Sequence, residues 1–184
     1  MSRSLILSLL LLPLGCALRV PPADLATLPL PDSAQLPCCW QSEDALVIDY
    51  RNERHHLTSV MAVDRAGLTL IVFDPLGRKL LLVKQQGDEI KEKLFIESDA
   101  LPIQWLLPAI FLAHMRHDRW LLQQSPWSVE MQSSDLVLYY RQRPTVVVKG
   151  HTDGRLPMHG QQRQLSFIGQ GLTLSITTLV SKAL

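Results

Sequence analysis

From about residue 35 the chain alternates in a period of two. Leu46, Ile48 and Tyr50 alternate with Val47, Asp49 and Arg51, and Leu57, Ser59, Met61 and Val63 alternate with Thr58, Val60, Ala62 and Asp64. Such alternation places one set on each face of a strand. A turn at Asp64-Arg65-Ala66-Gly67 leads into the β-branched and aromatic run Leu68 to Phe73. The turn Asp74-Pro75-Leu76-Gly77, the run Lys79 to Lys84, the turn Gln86-Gly87-Asp88 and the run Glu89 to Ile96 follow. Short strands joined by brief glycine-containing turns predict an antiparallel meander.

The period then changes. Ser98 and Asp99 are good helix N-caps, and Pro102 suits a first turn. The stretch from Gln104 to Met115 is nearly all apolar, with Pro108 tolerable near its start. It is too short to span a bilayer, which needs about 20 residues, and predicts a buried helix covered on most sides. After the polar stretch His114, Arg116, His117, Asp118 and Arg119, strand patterns resume. They cover Trp127 to Met131, Asp135 to Arg141, Thr145 to Lys149, Gln164 to Ile168 and Leu172 to Val180. Gly169-Gln170-Gly171 reads as the turn between the last two. Strands, one apolar helix, then strands predict an α+β fold: a strongly curved antiparallel sheet, a half-open β-barrel, enclosing the helix.

The N-terminal region has a different character. Arg3 precedes the apolar run Leu5 to Leu14, the layout of a secretory signal. The run ends Leu12-Pro13-Leu14-Gly15-Cys16, a small residue followed at once by cysteine. This resembles the lipobox of bacterial lipoproteins, although Pro13 stands where a leucine is usual. The resemblance implies that residues 1–15 are removed and that Cys16 is acylated. The mature protein is then held on membrane lipid by chains that each add about 0.8 kcal/mol per buried CH₂. Ala17 follows the cysteine, and the lack of Asp there favours, by analogy with enteric lipoproteins, the periplasmic face of the outer membrane. Pro21, Pro22, Pro29 and Pro31 make residues 16–34 an extended tether carrying a domain of residues 35–184.

The central passage carries a second resemblance. Phe73-Asp74-Pro75-Leu76-Gly77-Arg78-Lys79-Leu80, then Asp99-Ala100-Leu101-Pro102, then Gln104-Trp105-Leu106-Leu107 leading into the helix resemble LolB-like lipoproteins of the LolA/LolB superfamily. The likeness spans roughly residues 61–120. It implies a half-open barrel plugged by helix and a non-enzymatic role in binding or handing on an acylated amphiphile. The protruding apolar loop used by LolB has no clear match. A hollow of this kind would admit acyl chains by removing apolar surface from water, at about 25 cal/mol per Å². Candidate lining residues are Phe73, Leu82, Phe95, Trp105, Leu106, Ile110, Phe111 and Met115, with Met61 and Met115 adding adaptability. The same residues would simply fill a core if no hollow exists. In that case the domain is a structural accessory that docks a partner in an envelope assembly.

Charge and reactive residues narrow the reading. Removing residues 1–15 leaves 184 − 15 = 169 residues and takes Lys+Arg from 18 to 17 against 17 Asp+Glu. A balanced domain of this kind offers no electrostatic case for nucleic acid or for a polybasic membrane patch. We expect a monomer. Adjacent Cys38 and Cys39 would be strained by bridging, which favours one buried and one partly exposed thiol. His114 and His117 lie one helical turn apart, with Asp118 beside them, so a metal could bridge them, but the preference of a helix C-terminus for cationic side chains is the reading taken. Asp44, Asp49, Asp64 and Asp74 read as strand-end or turn acids. Gly-x-Ser-x-Gly, Ser-x-x-Lys, His-Glu-x-x-His and phosphate-cradling glycine loops are absent from the sequence, so neither catalysis nor a metal or cofactor is expected.

Overall fold

A computed structural model describes residues 25–96, 105–114, 116, 118, 126–151 and 154–184. Among the described residues, ten strands and one α-helix follow in chain order: β1 Trp40–Tyr50, β2 Glu53–Asp64, β3 Gly67–Phe73, β4 Lys79–Gln86, β5 Glu89–Leu94, α1 Leu106–His114, β6 Trp127–Gln132, β7 Asp135–Tyr140, β8 Arg143–Lys149, β9 Gln162–Phe167 and β10 Leu172–Ala183. Two short 3₁₀ turns, Leu25–Thr27 and Ser33–Gln35, precede them. Among the described residues no helix is long and apolar enough to cross a membrane.

All ten strands belong to one antiparallel sheet in the order β5-β4-β3-β2-β1-β10-β9-β8-β7-β6. Its two edges, β5 and β6, do not pair with each other, so the sheet is not closed. Two meanders, β1 to β5 and β6 to β10, are joined where the first strand lies beside the last. Trp40 pairs with Ala183 and Tyr50 with Leu172, with one bulge between Glu43 and Asp44. Tight turns between neighbours set the register. Gly67 begins β3 at φ +146°, and a Cβ there would come 2.0 Å from the carbonyl oxygen of Gln85 on β4, so only glycine fits.

Register divides the side chains into two faces. Opposed residues in an antiparallel pair point the same way. One face therefore carries Trp40, Ser42, Asp44, Leu46 and Ile48 of β1. It also carries Leu57, Ser59, Met61 and Val63 of β2, Leu70 and Val72 of β3, and Leu81 and Val83 of β4. It continues through Leu174 and Ile176 of β10, Arg163, Leu165 and Phe167 of β9, Val146 and Val148 of β8, and Leu136 and Leu138 of β7. Nearly all of these are buried, and with α1 they form one apolar core. Helix α1 lies on this inner face and is buried at all nine residues, His114 included. Its start meets the Tyr50 end of β1 through Trp105, and its end meets the Trp40 end through His114.

The segment before β1 is part of the same core. Leu25, Leu28 and Leu36 are buried, and three hydrogen bonds fasten the stretch to the sheet. The indole Nε1 of Trp127 on β6 donates to Thr27 Oγ1 (3.3 Å), Gln85 Nε2 on β4 donates to the Pro31 carbonyl (2.7 Å), and Ser33 N–H donates to the Gly87 carbonyl (3.2 Å). The proline pattern makes residues 16–34 an extended tether. The part from Leu25 onward is instead packed, because its leucines find apolar surface.

Cys38 and Cys39 are joined as a disulfide between neighbours across a cis peptide bond, with Cα atoms 3.1 Å apart. The sequence led to the expectation of one buried and one partly exposed thiol; here the two are bonded to each other, Cys38 exposed and Cys39 half-buried.

Candidate functional site

Helix α1 meets the sheet through two different chemistries. At its start Trp105 stacks on Phe167 of β9 (ring centroids 6.0 Å) and meets Tyr50 edge-on (6.5 Å). Between helix and sheet there is a space of about 10 Å³ lined by Ile48, Trp105, Leu106, Ala109, Phe167, Leu172 and Leu174. That is room for about one water, whereas small-molecule pockets measure about 300–1,000 Å³. Here the interior is filled by side chains.

At its end α1 meets a buried polar cluster. Asp44 accepts from Ser42 Oγ (2.7 Å) and from Thr178 Oγ1 (2.7 Å). Arg163 donates through Nη2 to Thr178 Oγ1 (2.5 Å) and to Asp44 Oδ1 (3.4 Å). Its Nη1 lies 2.8 Å from each ring nitrogen of His114, the last residue of α1. Arg163 and Asp44 have side chains 0% and 3% exposed, so the pair is desolvated. Burial pulls the Arg163 pKa down and Asp44 opposes that pull. His114 is held well below its ordinary pKa, first by burial, then by the positive charge of Arg163 and by His151. It is therefore neutral and accepts a hydrogen bond from the guanidinium. The cluster fastens α1 to β1, β9 and β10 by polar groups inside a mostly apolar core. Among the described residues the buried Nε of Arg163 finds no hydrogen-bond partner.

The proposed lining residues separate. Trp105, Leu106, Ile110 and Phe111 lie on or beside α1 in the core. Met115 lies outside the described residues. Phe73 and Leu82 alternate with Val72, Leu81 and Val83, so they point to the outer face and are half-buried there. Phe95 is 42% exposed beyond β5. These three cannot line a space on the helix side. Leu70 to Phe73 and Leu80 to Val83 are apolar at every position, and a period of two is unreadable in such runs.

Asp44 also differs from expectation: it sits within β1, buried, and not at a turn. Arg163, Thr178 and Ser42 were not singled out in the sequence. Alternation holds the missed signal, because Arg163 shares a face with Leu165 and Phe167, and Asp44 with Leu46 and Ile48. His114 is engaged with Arg163, while Asp118 pairs with Arg116 (2.6 Å) and His117 lies outside the described residues. Among the described residues, no three His, Cys, Asp or Glu side chains converge on a metal position.

A ten-stranded open sheet with one helix on its inner face thus defines the class of architecture. Residues 41–180, most of the chain, match a family described as proteins of unknown function (DUF3261), and the chain belongs to that family. No curated protein matches it.

Proposed function

We propose that the protein is a lipoprotein anchored through Cys16 at the periplasmic face of the outer membrane. Its half-open barrel, enclosing α1, binds a lipid or acylated amphiphile and hands it on without chemical change. The resemblance of its N-terminal stretch to a lipobox and of residues 61–120 to LolB-like proteins supports this reading. The curvature it needs has separate support. From Thr27, bonded to Trp127 on β6, to Ser33, bonded to Gly87 after β4, the chain takes six steps. Six residues reach at most about 21 Å. Laid flat, the eight strand intervals from β4 to β6 would span about 38 Å, a distance that the stretch, its two hydrogen bonds and the Thr27 and Trp127 side chains would meet only if all were fully extended in one line.

The observation that carries the reading is α1 itself: nine residues, buried on every side, occupying the position an acyl chain would take. Since the space beside the start of α1 is only about 10 Å³, an acyl chain enters there by exchange with the helix and not by filling a void. The same filled interior favours a second reading, an anchored accessory domain that carries no ligand and docks a partner.

Lipids extracted from purified protein and analysed by mass spectrometry separate the two. A bound amphiphile that is lost in Trp105→Arg supports the carrier. Protein free of amphiphile, both as isolated and after incubation with fatty acid, supports the accessory. Radiolabelled palmitate incorporated by the natural chain and not by Cys16→Ser tests the anchor itself.

A further inference from the structure

The outer face of β2 to β5 is apolar at its centre and cationic at its border. Val60, Ile71 and Leu82 stand side by side across β2, β3 and β4, each half-buried, and the row ends on Lys93 of β5. Phe73 lies next to this row. Around it, Lys79, Lys84, Lys91 and Lys93 are all exposed on the same face. Phe95 lies among them, with Lys79 Nζ 5.4 Å and Lys93 Nζ 4.9 Å from its ring centroid. On β4 and β5 this face carries one carboxylate, Glu89, which pairs with Lys91 at 3.1 Å. Glu92 points to the other face, opposite Val83. The chain as a whole has a formal net charge of only +1, so the asymmetry is local.

We propose that this face of β2 to β5 rests on a bilayer surface that carries anionic headgroups. The inference rests on the anchored reading above. Lysines whose aliphatic stems lie along apolar surface, with an aromatic ring between them, match the boundary between acyl chains and charged headgroups. Like charge disfavours a second copy of the same face. A patch this small would bind weakly from free solution. Tethered through Cys16, it needs little affinity, because from Cys16 to Leu25 the chain can extend at most about 30 Å and the local bilayer concentration stays high. Docked in this way, β5 lies against the bilayer, and one of the two open sheet edges is turned to the lipid.

Amide hydrogen exchange of the mature lipidated protein in vesicles tests the proposal. On phosphatidylcholine containing one part in about four of phosphatidylglycerol, residues 89–95 should exchange more slowly than on phosphatidylcholine alone. High salt should remove the difference. Lys79→Gln and Lys93→Gln should each lower the docked-to-undocked ratio about fivefold. Equal exchange on both vesicles overturns the proposal and leaves the anchored reading intact. Mature protein with no acyl group on Cys16 by mass spectrometry overturns the anchored reading. Protection of residues 89–95 that grows with protein concentration in the absence of vesicles assigns the face to a second copy and also overturns the proposal.

Discussion

Arg163 Nη1 lies 2.8 Å from the imidazole of His114, joining β9 to the last residue of α1 inside the core. The contact puts a permanent cation against a neutral ring, and so the docking of the helix depends on the ring's staying neutral.

The first prediction concerns pH. In the unfolded chain His114 titrates near its ordinary value of about 6.5, and in the fold its pKa lies well below that. The folded state therefore binds fewer protons between the two values. The stability this gives is complete above about pH 6.5 and declines as pH falls below it, by up to about 1.4 kcal/mol per unit. Thermal unfolding followed from pH 8 to pH 5 should show the decline, and His114→Gln should flatten it. A wild-type profile that is flat or rises toward acid would contradict this account.

The ion pair gives the second. Arg163→Met leaves Asp44 in the core without its cation, and Asp44→Leu leaves Arg163 without its carboxyl. Each should cost about 3–5 kcal/mol in denaturant unfolding, because one desolvated charge remains. The double substitution removes both charges and should lose less than the sum of the two. Additive losses would mean the groups do not act as a pair.

Packing around α1 gives the third. Phe111, Ile110 and Leu112 are almost wholly buried, so a truncated side chain leaves a cavity. Ile110→Ala and Leu112→Ala should each destabilise by about 2–5 kcal/mol. A loss below about 1 kcal/mol for both would show that the helix is loosely held.

Two glycines give the fourth. Gly67→Ala brings a Cβ onto the Gln85 carbonyl, whereas at Gly77, φ +77°, nothing lies within 4 Å of the added atom. Gly77→Ala should cost only the left-handed backbone preference, about 1–2 kcal/mol. Gly67→Ala should cost more, since β4 must also move away. Equal midpoints for the two variants would argue against the close β3–β4 approach.

Strand positions were open to direct reading, because alternation and glycine turns are local signals. The expected runs at Leu68–Phe73, Glu89–Ile96 and Trp127–Met131 correspond to β3, β5 and β6 with shifts of at most two residues at an end. The stretch from Gln104 to Met115 holds α1, whose apolar surround required burial. At β2 the reading fell short: His55 and His56 look polar, yet the strand starts at Glu53, since pairing with β1 continues to Tyr50.

What the sequence by itself determined is the set of elements and their order, because hydrophobic period, turn residues and helix length act over a few neighbours. Tertiary structure alone decided which face is inner where a strand is apolar on both sides, which strands are adjacent, and which polar groups meet. Phe73 and Leu82 sit in runs apolar on both faces, and only register with β2 and β5 turns them outward. Asp44 and Arg163 are 119 residues apart and become partners only because β1 pairs with β10, and β10 with β9. Pairing between distant strands is a property of the whole sheet, and no short window of residues contains it.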